Sequence, residues 1–491
     1  MMNILLVSPA VPDTFWSFKH AIPFISKKAA YPPLGLLTVA AMLPRGWNLK
    51  LVDMNVSRLT DEDIDWADYV FLSAMIVQAD SCRQVISRCD TRQKTVIAGG
   101  PLFSTGHDGF PQVKHFVVGE AEDIMPQLVA DLSSGHLKPI YERQAKPDLA
   151  KTPVPRWDLI NFKDYATMPV QLSRGCPFNC EFCDIIVMYG RQPRVKTPTQ
   201  MIAELDSLLD AGWKGPIFIV DDNFIGNKVK VRELLHELIA WRARRSVAAA
   251  FTTEASLNIV DIPGLLDLMV QAGFKKVFVG IETADEDSLY ECAKVQNTRR
   301  DIAAAVRTIQ NSGIEVMGGF IVGFDNDKHT IFEQQRRFIQ ETGVVTAMVG
   351  LLTALPKTRL FQRLKEEGRI LHESTGNNID AVLNFIPKLD RDVLIEGYRS
   401  LVKHLYTPRV YYRRALTFLR EYRPQGPRVP VTWTDLKAFI RSLWVLGVRT
   451  RGRREYWKYL TKSLLLHPRA FGEAVSIAIL GHHFRQVATN L

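Results

Sequence analysis

Nothing in this 491-residue chain forms an apolar run of the roughly 18–20 residues that crossing a bilayer requires, so the sequence predicts no membrane span. The N-terminus reads Asn3-Ile-Leu-Leu-Val-Ser8 and runs into prolines without a basic leader, the pattern of a buried first strand rather than a secretion signal. Cysteine is scarce. Six in a chain of this length make no disulfide framework, and three of them fall within the eight positions 176–183. That clustering points to a metal site in a reducing compartment, so the cytoplasm is the expected location. No histidine lies within a dozen residues of the cluster on either side. Residues 1–400 lack a charge excess, with 45 Lys+Arg against 48 Asp+Glu, whereas residues 401–491 carry 17 against 4. The net +10 therefore belongs to the tail. A basic tail suits nucleic acid, an anionic membrane surface or an acidic partner, and a solvated helical face accounts for it equally. No RNA-binding motif accompanies it, so nucleic acid is not an expected partner.

What is present reads as a folded α/β protein: 46% of residues are apolar and 23% charged, and the length calls for two or three domains. Short apolar runs at Ile4–Val7, Leu49–Val52, Tyr69–Ser73, Thr95–Ala98 and His115–Val118 alternate with helical patterns, which predicts a doubly wound, Rossmann-like parallel sheet over residues 1–140. Ligands of such sheets sit outside the C-terminal strand ends. Ser73, Gly99, Gly100, Gly119 and Glu120 fall there and are candidate cofactor-binding residues, although a tight turn also explains the glycines. A linker spans 141–165, with Pro147, Pro153 and Pro155. From 166 to 370 the βα rhythm restarts and repeats six times, two short of a closed barrel, which predicts an open, partial (β/α)6 TIM barrel. Beyond 371 the rhythm stops, and aromatic and basic residues interleave on apparent helices, as at Tyr411-Tyr412-Arg413-Arg414; residues 371–491 are expected to form a basic helical accessory domain.

The chemistry concentrates at Arg174-Gly-Cys176-Pro-Phe-Asn-Cys180-Glu-Phe182-Cys183-Asp184, just after the first expected barrel strand. Three thiolates without a nearby histidine are one short of a structural zinc site. A four-iron cluster held by three cysteines keeps one iron open to an outside ligand, such as an amino-carboxylate. A zinc site completed from elsewhere, or three buried thiols, is the plainer alternative. Cys82 and Cys89, seven apart on one predicted helix, and the isolated Cys292 read as core.

The C-x3-C-x2-C spacing with Phe182 before the last cysteine resembles the signature of the radical S-adenosylmethionine (radical SAM) superfamily. The parallel domain ahead of it, and the wording Arg174-Gly-Cys-Pro-Phe-Asn-Cys-Glu-Phe-Cys-Asp-Ile-Ile, resemble its cobalamin-binding branch; the helical tail is similar to the subgroup that includes hopanoid C-2 methylases. The resemblance implies a 4Fe–4S cluster on Cys176, Cys180 and Cys183, with S-adenosylmethionine and cobalamin as the other cofactors. It implies that Phe182, Asp221, Asp222, Glu254, Glu282, Gly319 and Leu355 border S-adenosylmethionine or substrate, with Gly318–Gly323 as a glycine-rich turn against adenine. For each carboxylate a helix cap or ion pair is the alternative. The D-x-H-x-x-G motif of many cobalamin domains is missing; Asp327-Lys328-His329 lacks the glycine and lies in the barrel. Cobalamin is therefore expected without a protein imidazole on its cobalt.

The activity implied is class B, cobalamin-dependent methylation of an unactivated carbon, on a lipid (hopanoid-like) or another small molecule, with an electron donor such as flavodoxin or ferredoxin. An oxidative cyclase or rearrangement enzyme without methyl transfer is the alternative, and a non-catalytic cobalamin sensor a second. The basic tail, with Leu443–Val448 and Phe471–Leu480, suits peripheral contact with the inner face of the membrane.

Overall fold

Near-continuous apolar strands need cover on both faces, and the first domain supplies it. The computed structural model describes residues 1–377, 379–427 and 430–491. Strands β1 (Asn3–Ser8), β2 (Asn48–Asp53), β3 (Tyr69–Ser73), β4 (Thr95–Gly99), β5 (His115–Val118) and β6 (Ile140–Glu142) form one sheet in the order β2-β1-β3-β4-β5-β6. All pairs are parallel, with Val7 in register with Val52 on one side and Leu72 on the other. Leu5 and Val7 pack on one face with Cys82 and Cys89 of helix Ala79–Thr91; Ile4 and Leu6 pack on the other with Leu36 and Leu128. The fold is the expected doubly wound α/β sheet. Its sixth strand starts at the expected domain end and takes two residues, 141 and 142, from the expected linker, because Tyr141 buries its ring and donates its hydroxyl to Asp131 at 2.8 Å.

The second sheet comprises β7 (Met168–Val170), β10 (Ile217–Ile219), β11 (Phe251–Ala255), β12 (Phe274–Glu282), β13 (Glu315–Val322) and β14 (Ala347–Leu351), parallel and neighbouring in chain order. It is an open six-stranded part of a barrel. Between β7 and β10, the short strands β8 (Ser173–Arg174) and β9 (Arg194–Val195) pair antiparallel and close the base of the cysteine loop. Gly318 and Gly319 lie inside β13, not in a turn: a methyl group on Gly319 would come within 2.8 Å of the Phe278 ring, so the missing side chain is filled by a neighbouring strand's aromatic. Only Gly323, at φ 108°, has the turn geometry expected of that stretch.

Two segments bind the sheets together. Residues 9–33, between β1 and helix Leu34–Ala41, leave the first domain and place Trp16 against Phe218 of β10 (ring centroids 6.2 Å, stacked) and Phe278 of β12 (5.0 Å). The tail adds helices Arg391–Leu405, Pro408–Glu421, Trp433–Trp444, Arg453–Leu466 and Phe471–Thr489. The last lies on the same excursion, with Phe484 5.8 Å from Phe15 and His483 Nε2 3.1 Å from the Phe15 carbonyl. The interleaved tail residues are largely interior: Tyr411, Tyr412 and Arg414 are buried, with the Arg414 guanidinium 5.3 Å from the Tyr411 ring. Phe471–Leu480 faces inward too, since Ala474, Ile477 and Ala478 are core; it does not supply the membrane-facing surface its apolar composition suggests. No single helix among the described residues is long and apolar enough to cross a membrane, and the pair Arg453–Leu466 and Pro468–Thr489, which together pass by length and composition, bends by 119°.

Candidate active site between two strand edges

Each parallel sheet exposes its backbone polarity at its C-terminal edge, and here the two edges meet across buried ion pairs. Arg174, two residues before Cys176, donates to Glu120 (2.8 Å) and Glu122 (2.8 Å) beyond β5. Arg194 of β9 donates to both oxygens of Glu120 at 2.8 and 3.0 Å. Lys357, after β14, donates to the Ser104 carbonyl at 3.0 Å. Glu120 is thus committed to clamping the first domain onto the cysteine loop, and its carboxylate is not free for a ligand. Nothing local in the sequence distinguishes Arg174 or Arg194 as partners so distant in the chain.

The cysteine loop is braced on all sides. Asp221, fully buried after β10, accepts from the Leu172 amide (2.8 Å), the Ser173 amide (3.0 Å) and the Ser173 hydroxyl (2.6 Å). Burial pushes its carboxyl up to about 6 against the downward pull of those bonds. Asp221 therefore positions the loop from beneath. Glu181, between Cys180 and Cys183, takes a forked pair of bonds from Arg363 at 2.7 and 3.1 Å, and its amide donates to the Cys292 carbonyl at 2.9 Å. Leu355 enters through its carbonyl, which accepts from Thr358 Oγ at 2.7 Å; Thr358 caps helix Arg359–Glu366, whose Leu360 amide donates to the Glu181 carbonyl at 2.9 Å.

The sulfurs have polar company that spacing did not reveal. Asn223 Nδ2 lies 3.7 Å from Cys176 Sγ and Gln296 Nε2 lies 3.6 Å from Cys180 Sγ, both as donors. Lys294 is buried 6.0 Å from the Phe182 ring centroid and donates to Glu282 at 2.6 Å. Burial opposes the Lys294 charge, but Glu282 and the sulfurs of Cys180 and Cys183 hold it protonated beyond its usual range. Glu282 adopts a left-handed φ of 63°, and a methyl group on Gly280 would fall 2.4 Å from its carboxylate and displace the Glu282–Lys294 pair. Burial pushes the Cys176 and Cys183 thiols up, so deprotonation there needs a cation. Donors to sulfur, a nearby ammonium and three cysteines on one loop fit a cluster, whose thiolates each bind a different iron. Among the described residues, no three His, Cys, Asp or Glu side chains converge as a single-ion site would require.

Two acids stand apart from the bracing. Asp222 accepts from the Gly175 amide at 3.5 Å and from no side chain among the described residues, and burial with Asp221 beside it pushes it up to about 7. Glu254 of β11, on the same face as its register partner Phe278, has no hydrogen-bond partner among the described residues, and burial, then Asp222 and Asp221, push it up to about 8. An unpartnered, recessed carboxylate fits the ammonium or ribose hydroxyls of S-adenosylmethionine.

The edge of the first sheet offers shape rather than charge. Ser73, Gly99 and Gly100 close β3 and β4; at Gly100, φ 91°, a methyl group would lie 2.7 Å from Ser73 Oγ. Gly119, φ 88°, has no atom within 4 Å of where a methyl group would be, and its amide donates to Ser104 Oγ at 2.9 Å. A left-handed glycine before open space is the cradle a large planar group such as cobalamin needs. No histidine of the D-x-H type stands there.

Comparison with known proteins agrees with both halves. Residues 24–129 match the B12 binding domain, 170–339 the Radical SAM superfamily and 358–491 a domain of unknown function, DUF4070. The chain is 40% identical over 99% of its length to an uncharacterised methyltransferase of Synechocystis sp., covering 92% of that protein. It is 34% identical over 94% of its length to the hopanoid C-2 methylase of Rhodopseudomonas palustris, covering 89% of it. In fold it is similar to the cobalamin-dependent S-adenosylmethionine radical enzyme OxsB (TM-score 0.63, 16% identity, 100% of this chain and 79% of that one). The methyltransferase TsrM of Kitasatospora setae is equally close in fold (TM-score 0.63, 14% identity, 94% and 98%). With a B12 binding domain clamped onto a radical SAM barrel, and full-length relatives named as methyltransferases, the chain belongs to the cobalamin-dependent radical SAM methyltransferases and works with a 4Fe–4S cluster, S-adenosylmethionine and cobalamin.

Proposed function

We propose that this enzyme methylates an unactivated carbon of a polycyclic, hopanoid-like lipid. The observation that carries the reading is the aromatic wall beside the acids: Trp16, Phe18, Tyr31, Phe218 and Phe278, the last in register with Glu254, form a contiguous aromatic surface with centroid spacings of 5.0–6.2 Å. Flat, apolar lining of this kind desolvates fused aliphatic rings and offers few hydrogen bonds to a polar substrate. The name of the 34% identical relative points to the same class of lipid.

In this reading Cys176, Cys180 and Cys183 hold the cluster, Asp222 and Glu254 face S-adenosylmethionine, and Ser73, Gly99, Gly100 and Gly119 border cobalamin. When bound, these groups supply an electron for reductive cleavage of one S-adenosylmethionine, a carbon-centred radical, and a transferable methyl group. The protein's part is positioning and exclusion. Asp221 and Arg363 hold the cysteine loop in place, Lys294 and the amide donors offset negative charge on sulfur, and Arg174 and Arg194 set the spacing of the two edges. The excursion 9–33 and the last helix shield the aromatic wall from water, as a radical site requires. An electron donor such as flavodoxin or ferredoxin completes the system.

The test is anaerobic turnover with reconstituted enzyme, a reductant, methyl-labelled S-adenosylmethionine and detergent-dispersed hopanoid. Label in the lipid, with S-adenosylhomocysteine and deoxyadenosine rising together, supports the reading. Deoxyadenosine without methylated product would favour the cyclase alternative.

A further inference from the structure

Helix Trp433–Trp444 buries one face and leaves an unusual one outside. Ala438, Ser442 and Leu446 turn inward. Trp433, Leu436, Ile440 and Trp444 recur at i, i+3, i+7 and i+11 on the opposite side. There Trp433 is 69% exposed, Ile440 56% and Trp444 58%. An amphipathic helix in a water-soluble surface places polar residues in those positions. The apolar strip continues into the next helix. Trp457 donates its indole N–H to the Gly447 carbonyl at 2.9 Å, beside the exposed Val448, and Leu464, one turn pair further on the same face, begins an exposed Leu464-Leu465-Leu466. The same segments expose cations. Lys437, Arg449, Arg451, Arg453, Arg454 and Lys462 are all exposed, and none forms an ion pair among the described residues. Exposed Trp and Leu with unpaired Arg and Lys match the headgroup zone of an anionic bilayer in both its layers: rings and aliphatics at the acyl boundary, cations at the phosphates.

We propose that helix Trp433–Trp444, with Trp457 and Leu464–Leu466, docks the enzyme on an anionic lipid surface. The occupant is identified by charge: the tail carries 17 Lys+Arg against 4 Asp+Glu, and the docking helix, the turn after it and the next helix expose Lys437, Arg449, Arg451, Arg453, Arg454 and Lys462. The docking helix is tied directly to the substrate wall. Arg441, on its flank, donates to the carbonyls of Pro23 (2.8 Å) and Phe24 (3.1 Å) and to Ser26 Oγ (2.6 Å), in the excursion that carries Trp16 and Tyr31 into the barrel. A docked helix thus holds the barrel's aromatic segment beside the lipid surface. The proposal deepens the lipid-substrate reading without depending on turnover for its proof.

The experiment sediments the reconstituted holoenzyme anaerobically with vesicles of mixed phosphatidylglycerol and phosphatidylcholine, and with phosphatidylcholine alone. The expected result is binding to the anionic vesicles, weakened at least tenfold by high salt. Replacing Ile440→Ser and Trp444→Ser together should weaken it at least tenfold again, with iron content, cobalamin content and helicity unchanged; Arg451→Glu with Arg454→Glu should do so through charge alone. The proposal is overturned if the wild type does not bind anionic vesicles or if both double variants bind as well as it does. It is equally overturned if light scattering finds a wild-type dimer that Ile440→Ser/Trp444→Ser disperses, because a second copy would then cover the strip. Vesicle binding without lipid methylation removes the substrate reading and leaves docking standing; methylation of dispersed lipid without vesicle binding does the reverse.

Discussion

The two strand edges that face each other solve the problem of holding a cofactor in opposite ways. The first sheet presents Ser73, Gly99, Gly100 and Gly119, small residues with left-handed backbone at two of the glycines and no acid of their own aimed outward. The carboxylates beyond β5, Glu120 and Glu122, are spent on Arg174 and Arg194. The barrel edge presents sulfur, ammonium and buried acid: Cys176, Cys180, Cys183, Lys294, Asp222 and Glu254. A large flat macrocycle is held by shape and backbone approach, and side chains would be in its way. A zwitterionic, cationic cosubstrate on an iron cluster is held by charge, which low-polarity surroundings strengthen. Substitutions should therefore separate the two edges, each disabling one cofactor and sparing the other.

The largest separation is expected from Cys180→Ala. Iron content and the cluster's visible absorption should fall to background, deoxyadenosine production with them, while cobalamin retention after gel filtration stays near the wild-type level. Loss of both cofactors together would mean that the cluster loop also builds the cobalamin edge.

The converse is Gly119→Val. A branched side chain at φ 88° costs about 1–2 kcal/mol in backbone strain and projects into the open space before the sheet edge. Cobalamin retention should drop about tenfold or more, with cluster absorption and reductive S-adenosylmethionine cleavage largely kept, read by ultraviolet–visible spectra and deoxyadenosine yield.

Glu254→Gln sharpens the charge side. With its carboxyl pushed up to about 8, Glu254 is mostly protonated at neutral pH in the ligand-free enzyme. A cationic ligand draws that proton off, so S-adenosylmethionine affinity should rise from pH 6.5 to 9, by up to roughly thirtyfold for one group titrating near 8, and Glu254→Gln should flatten the profile. The same shift has a stability consequence of fixed sign. A carboxyl whose folded value lies above its unfolded one stabilises the fold below about pH 4.5 and loses that contribution as pH rises towards 8. Ligand-free wild type should therefore lose Tm across that window more steeply than Glu254→Gln, measured by thermal melts at fixed ionic strength.

The smallest effect is expected at the clamp. Arg194→Ala leaves Glu120 buried with Arg174 as its remaining partner, which should cost about 1–3 kcal/mol and lower Tm by a few degrees without removing either cofactor.

Much of this was legible along the chain. Strands β3 and β5 begin and end where apolar pattern and turn residues place them, because β-branched and aromatic runs bounded by Gly, Asp or Ser leave little choice. The cysteine triad was legible because its three thiols lie on one loop, so spacing alone brings them together. Residues that act through the backbone of a distant segment were not. Asp221 and Glu120 were readable as carboxylates at strand ends, but a strand end does not tell whether an acid meets a ligand, a backbone amide or a guanidinium 74 residues away. Gln296, Lys294 and Arg363 had no signal, since their partners are set by how separate βα units pack.

The tail draws the line most clearly. Composition by itself determined that residues 401–491 are basic, aromatic and helical. It pointed to Leu443–Val448, which holds the exposed Trp444 and Val448, and to Phe471–Leu480, which is largely core, and it missed Trp433, Ile440 and Leu464–Leu466. Only the tertiary structure decided which was which, because a helix's hydrophobic stripe says that something covers it but not what. Helix Phe471–Thr489 found the excursion 9–33 and the neighbouring helices; helix Trp433–Trp444 buried its small face and left its large residues outside. The sequence by itself determined the triad, the two parallel domains and the class of chemistry, since each rests on local spacing or period. Which acids stay free, what clamps the two edges and which apolar tail residues stay exposed depend on contacts between segments far apart in the chain, and packing alone chose them.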